Sequence, residues 1–244
     1  MANSHSKLLG IQTPPLFNVG FNLLEEMFQF TDVTPEMLPS GVQITITGQP
    51  GTGKTRLALQ LLDAIGKNNP DLKTEYRSYE MSGAMLKDLV LKLRIDNIDT
   101  YSYDQDLETF APFVPGTLYL IDSLDFWASN EGERYPSDRM AKLLLDAKQQ
   151  HITVILVHHK TKNRSGETGS VLFRQYNDIR IEVKQTKQNN HIQVSSHEKN
   201  RYPGQKRDVT LKHSPFGLVP VPPSQFETIW MGLLNRIDAI AQNL

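Results

Sequence analysis

GQPGTGKT, residues 48–55, is the stretch on which the reading of this chain turns. It meets the pattern G-x-x-x-x-G-K-[ST] at Gly48, Gly53, Lys54 and Thr55. Glycines at such points let backbone N–H groups curl around phosphate oxygens without a clashing side chain. The run Gly48, Gln49, Pro50, Gly51, Thr52, Gly53, Lys54 and Thr55, with Arg56 behind it, is therefore expected to bind a nucleotide. Lys54 is expected to set its charge against the β and γ phosphates, and the Thr55 hydroxyl to ligate Mg²⁺. A glycine-rich turn matching by chance is the competing reading, and the flanks argue against it. VQITIT, residues 42–47, is a β-branched strand bounded by glycines. Residues 56–65 read as a helix, whose positive dipole end would face the anion.

Outward from the loop, strands and helices alternate. The helix ends at Gly66 and the Asn68, Asn69, Pro70 cluster. A strand is predicted over 74–79, and a helix over 83–93 with Met85, Leu86, Leu89 and Leu93 on one face. A short strand over 99–103 precedes a polar helix. TLYLI, residues 117–121, is a strand leading into Asp122, and 138–149 is a helix. ITVILV, residues 152–157, is the continuous apolar run of a strand buried on both faces. Such alternation implies a parallel sheet with right-handed crossovers. Beyond it, 179–183, 192–198 and 209–213 alternate with no room for helices, so they are expected as antiparallel strands at one edge.

Upstream, 1–15 is polar, ends in Pro14 and Pro15, and is expected to be a flexible arm. Residues 16–40 suggest an amphipathic helical lead-in through Leu23, Leu24, Met27 and Phe28. Downstream, Pro220, Pro222 and Pro223 break the chain. An amphipathic helix then presents Phe226, Ile229, Trp230, Leu233, Leu234, Ile237 and Ile240. The expected organisation is arm 1–15, core 16–220 and terminal helix 221–244.

The chain has 244 residues, 39% hydrophobic and 22% charged, suited to one soluble α/β domain. It has no cysteine, which excludes disulfides and thiolate zinc sites. No apolar run approaches the ~18 residues of a membrane span, and residues 1–10 lack the apolar region of a signal peptide. A cytoplasmic protein with no membrane partner is expected. The net charge of -1 neither marks nor excludes a nucleic-acid binder, because local basic loops can grip phosphate.

Asp122 ends an apolar strand at the side of the sheet where ligands gather, and is the candidate second Mg²⁺ group. Glu80, at the end of the strand 74–79, which is expected next to the phosphate-loop strand, is the candidate to orient the attacking water. His158 and His159 end the strand 152–157. A metal pair is disfavoured there because neighbours on a strand point to opposite faces.

An ordered series of segments resembles the RadA/Sms branch of the RecA-type ATPases, and more distantly the KaiC-like ones, over roughly 17–220. It comprises the strand and loop 41–55, RSYEMS at 77–82, LRIDNIDTY beginning at Leu93, and LYLIDS at 118–123. VHHKTK at 157–162 and KNRYPG at 199–204 complete it. The resemblance implies an α/β fold with a RecA-like P-loop NTPase core. Its parallel sheet is flanked by helices, with antiparallel strands at one edge. It implies ATP hydrolysis with Mg²⁺, and self-assembly into a ring or filament. Lacking cysteines and stopping soon after the core, the chain is expected to be a core-only relative, like those of phage recombination. The family often pairs glutamates where this chain has Glu80 and then Met81.

The resemblance puts His159 at the position that senses the γ-phosphate; an ordinary structural histidine is the alternative. It also makes Lys199 and Arg201 cations that reach a neighbour's nucleotide, against a solvated basic strand end. Two loops, 127–139 and 160–170, fall where RecA-type proteins contact single-stranded DNA. Lys160, Lys162 and Arg164 are the candidate phosphate contacts, and Phe126, Trp127 or Tyr135 the candidate base-stacking groups. The expected function is a DNA-dependent ATPase of recombination or repair. A KaiC-like regulatory ATPase with a protein partner and a DnaB-type helicase motor are the alternatives.

Overall fold

The computed structural model describes residues 14–21, 23–24, 37–102, 112–123, 136–159, 177–201 and 208–221. The phosphate-loop strand, β3 (Gln43–Gly48), lies at the middle of a nine-stranded sheet. On one side follow β7 (Val154–His159), β6 (Thr117–Asp122), β4 (Lys73–Ser78) and β5 (Thr100–Ser102), all parallel. On the other side β8 (Ile179–Gln185) is parallel to β3. It is succeeded antiparallel by β9 (His191–Asn200), β10 (Asp208–Ser214) and β11 (Gly217–Pro220). The expected parallel sheet with an antiparallel edge is the observed one, with one correction: the strand over 179–183, expected among the antiparallel additions, runs parallel to β3, and the antiparallel edge begins only at β9. β11 was not anticipated. It is a short hairpin return, and its pattern is too brief to signal a strand.

The period of two in the strands assigns each sheet face its core. Leu118 and Leu120 of β6, with Ile155 and Val157 of β7, face one way. They pack with Leu57, Leu61 and Leu62 of α1 (Lys54–Asn68). Tyr119, Ile121, Val154 and Leu156 face the other way and meet Leu144 and Ala147 of α3 (Pro136–Gln149). A third helix, α2 (Gly83–Leu93), has the bounds read from sequence, set by Ser82, whose side chain caps it by accepting from Met85 N–H.

The lead-in is corrected at both ends. Leu16–Asn18 (β1) and Met37–Pro39 (β2) form a two-stranded antiparallel sheet, not helix. Phe17 and Leu38 pair with each other and are buried in the α1-side core, which fixes these two ends as strand, whereas Met27 and Phe28 lie outside the described residues. The segments 25–36, 103–111 and 222–244 lie outside the described residues, and with them the polar helix and the terminal helix. Among the described residues no helix is long and apolar enough to cross a membrane.

At the sheet end remote from the phosphate loop, buried Asp178 ties four elements together. Its Oδ2 accepts from Gln43 N–H at 3.0 Å, and its Oδ1 receives Lys148 Nζ at 2.5 Å and Arg201 Nη1 at 3.1 Å. Lys148 and Arg201 are partly exposed and can turn to water if Asp178 is lost, whereas the Gln43 N–H cannot. Asp178→Ala is therefore expected to destabilise the fold by about 1–3 kcal/mol, the cost of a buried donor without its acceptor. A urea-denaturation midpoint equal to wild type would refute this.

Candidate functional site

β3 ends at Gly48, and the chain turns through the loop into α1 at Lys54. Two glycines in the left-handed region make this turn possible, Gly51 at φ 79° and Gly53 at φ 90°. Gly48 is needed for a different reason: a Cβ there would come within 2.3 Å of the Val183 carbonyl oxygen on β8. Gly53 caps α1 without any side-chain hydrogen bond, and the first turn of α1 holds no acidic residue. The N–H groups that a helix start leaves unpaired are thus directed at the loop, where they suit an anion. Lys54 is buried, and its Nζ donates to the Gln49 carbonyl at 2.9 Å, as does the Thr52 hydroxyl at 2.9 Å.

Three parallel strands bring the other candidates to the same sheet end. Asp122 is the last residue of β6 and is buried. Its Oδ2 accepts from Tyr76 Oη at 3.2 Å, while its buried Oδ1 makes no hydrogen bond among the described residues. Burial pushes its pKa up, and the neighbouring Thr55 hydroxyl pulls it back. A buried carboxylate with one oxygen outside any hydrogen bond among the described residues, and with the Thr55 hydroxyl as a neighbour, fits a Mg²⁺ site. Thr55 and Asp122 are the residues that would hold the ion, directly or through water.

Glu80 lies two residues beyond the end of β4, which is one residue shorter at this end than expected and is separated from β3 by β7 and β6, not next to it. Its Oε1 is 2.8 Å from His159 Nε2 at the end of β7, and it accepts from the Ser123 hydroxyl just after β6. The bond with His159 holds the Glu80 carboxyl below its usual value, against a burial effect that raises it; Ser123, the His159 charge and Lys54 lower it further. Glu80 is therefore ionised at neutral pH. His158, the neighbour of His159 on β7, is buried and, as adjacent residues of a strand do, points to the opposite face.

Lys199 and Arg201 are not part of this cluster. Asn200 pairs with Ile179 at the start of β8, level with Ile44 of β3. Five residue steps separate Gln43 from Gly48, and at about 3.3 Å each they put roughly 17 Å between Arg201 and its own phosphate loop. Lys199 pairs with Arg180, level with Thr45, and is three steps or roughly 10 Å from the loop along the sheet. Burial, and then the charge of Arg201, push the Lys199 pKa down. Lys160, Lys162, Arg164, Phe126, Trp127 and Tyr135 lie outside the described residues.

Three site groups carried no role in the sequence reading: Ser123, Tyr76 and His213. Ser123 was in view within LYLIDS, but the hydroxyl's use depends on where β4 and β7 end. Tyr76 looks like a core aromatic, and its Oη finds Asp122 only across the parallel pairing of β4 with β6. His213 comes from the antiparallel edge and rests on Gly53.

No family model matches the chain, and no curated protein matches it. Solved structures do. The KaiC-like protein PH0186 from Pyrococcus horikoshii OT3 aligns with a TM-score of 0.62 at 16% identity, covering 87% of this chain and 100% of that one. The flagellar accessory protein FlaH from Methanocaldococcus jannaschii aligns at 0.61 and 14% identity, covering 76% and 92%. A third solved structure, of an ATPase domain, aligns at 0.57 and 15% identity, covering 89% and 95%. The chain thus has the α/β fold of the RecA-like P-loop ATPases. The KaiC-like branch, the more distant of the two sequence resemblances, is represented among these structures. The RadA/Sms resemblance stays with the sequence motifs.

Proposed function

We propose that this chain is a Mg²⁺-dependent ATPase that works as a homo-oligomeric ring or filament and engages single-stranded DNA. The observation that carries the ATPase reading is the meeting of Glu80, Ser123 and His159 at the sheet end that also holds Lys54, Thr55 and Asp122. The loop N–H groups and Lys54 bind and neutralise the polyphosphate. Mg²⁺, held by Thr55 and Asp122, would add charge neutralisation on the phosphates. Glu80, kept ionised by its neighbours, orients a water and accepts its proton at a carboxylate oxygen. His159 touches that carboxylate, so it is placed to couple the state of the site to the segment that begins at Lys160.

Self-assembly is supported by the position of Lys199 and Arg201. Arg201 is roughly 17 Å from its own loop, and a cation so placed suits a neighbour's γ-phosphate, as an arginine finger does, with Lys199 beside it. The DNA reading rests on the basic, glycine-containing stretch 160–170 next to His159. Recombination or repair is the process this combination fits. The KaiC-like structural likeness favours a second reading, a regulatory ATPase with a protein partner.

Binding to labelled single-stranded DNA with a non-hydrolysable ATP analogue, across a salt series, separates the two. Affinity is expected to fall with salt, since each neutralised phosphate releases counterions. Changing Lys160, Lys162 and Arg164 together to Ala is expected to lower the slope by up to about one unit per lost contact. No affinity at low salt would replace the DNA reading with the protein-partner one.

A further inference from the structure

We propose that His213, on the antiparallel edge of the sheet, is a nucleotide-contacting residue whose imidazole closes onto the polyphosphate held by residues 48–55. This rests on the nucleotide-binding reading above and adds a residue that the loop motif does not contain. A Cβ built on Gly53 would lie 2.6 Å from His213 Cε1, 3.3 Å from Nε2 and 3.6 Å from Nδ1. The imidazole therefore rests against the loop backbone, where glycine leaves room, and both ring nitrogens flank the contact. Gly53 is the residue at which the phosphate-binding turn becomes helix. An anion gripped by the N–H groups there lies beside the ring.

The edge hairpin is fastened so that His213 stays in place. Gln60 of α1 makes a two-way amide bond with Leu218 of β11, donating from Nε2 to the carbonyl at 3.2 Å and accepting from the N–H at 2.8 Å. Arg56 Nη1 donates to the Ser214 carbonyl at 3.3 Å, and His213 N–H donates to the Asn190 carbonyl at 2.8 Å. The turn between β10 and β11 is thus fixed relative to the loop, with His213 half-buried between it and Gly53.

Simple packing gives no reason for an imidazole here. Burial, and then the charge of Arg56, push the His213 pKa down, so its protonation is opposed. The charged and titratable groups nearest along the surrounding elements are Lys54 and Arg56 in the first turn of α1, His191 at the start of β9 and Lys212 beside it on β10. The acidic Asp63 of α1 and Asp208 of β10 lie five or more residues from Arg56 and His213 respectively. The nearest groups are all basic. A polyphosphate entering among them reverses the local sign and favours the imidazolium, which can then donate to a phosphate oxygen. An apolar residue at 213 could cover Gly53 but could not make that bond.

The test is ADP binding to the full chain by calorimetry at about pH 6 and about pH 8, for wild type and His213→Asn, bracketing the ordinary histidine range. Asparagine keeps a hydrogen-bonding side chain and loses the titration. The titration of ADP itself is common to both proteins and cancels in the ratio of their affinities. That ratio is expected to favour wild type several-fold more at the lower pH. In parallel, the His213 Cε1–H resonance should titrate at higher pH with ADP than without. This measurement needs only the wild-type protein and decides the matter if the variant does not fold. A ratio independent of pH together with an ADP-insensitive resonance would overturn the proposal while leaving the nucleotide site intact. Failure of the wild-type protein to bind ADP at all would overturn both.

Discussion

Lys54→Ala is expected to abolish ATP hydrolysis and to weaken nucleotide binding. Lys54 is buried, and its Nζ is held inside the loop against the Gln49 carbonyl, not in solvent. A cation in that place is already desolvated before nucleotide arrives, so its attraction for the β and γ phosphates is little screened. Charge that develops in the transition state meets it without reorganisation. Removing one such preorganised group costs on the order of 10²–10³-fold in turnover, and the loss of ground-state contact adds a weaker Kd. Phosphate release and nucleotide calorimetry measure the two effects separately. Turnover equal to wild type in Lys54→Ala would sink the ATPase reading, because no other feature of the loop can supply that charge.

How much of this was legible beforehand follows from where each kind of information resides. The parallel half of the sheet was readable because its strands are short and bounded by turn residues and helical stretches, the central ones apolar as in ITVILV. The loop was readable because its glycines meet local requirements: two need positive φ, and Gly48 needs close approach to β8. Residues 16–18 and 37–39 were misread because their pairing is with each other, across a gap that no local period reports. The cluster at Glu80 was half readable. Strand ends pointed to Glu80, Asp122 and His159 separately, but only the sheet order β3, β7, β6, β4 makes them neighbours. That order also explains Ser123, whose hydroxyl follows β6 by one residue and so meets the chain leaving β4. Lys199 and Arg201 were readable as cations near a strand end, and Arg201 falls one residue past β9. Their distance from the loop was not, since it depends on β9 running antiparallel to β8.

Glu80→Gln should keep nucleotide binding and lose hydrolysis, and its logic differs from that of Lys54→Ala. Glu80 makes no part of the phosphate loop, so the loop N–H groups, Lys54 and Thr55 remain to hold nucleotide. Its carboxylate is bound to His159 Nε2 at 2.8 Å and to the Ser123 hydroxyl. Glutamine is isosteric, its amide oxygen can still accept from Ser123, and the local geometry should survive. What the amide cannot do is take up a proton from water. General-base contributions are typically about 10²–10⁴-fold, so phosphate release should fall by that factor while ADP and ATP affinities change little. The direction of the Glu80 pKa adds a second check. Since His159, above all, holds it below the usual carboxylate value, the base form persists through neutral pH, and activity should fail on the acid side only as pH drops through that lowered value. An acid limb near neutrality would point to a different base. With binding kept and hydrolysis blocked, the ATP-bound assembly should also accumulate, visible as a larger species by size-exclusion chromatography with ATP. If Glu80→Gln hydrolyses ATP at the wild-type rate, the base lies elsewhere, and the Glu80, Ser123 and His159 cluster is a structural tie between β4, β6 and β7.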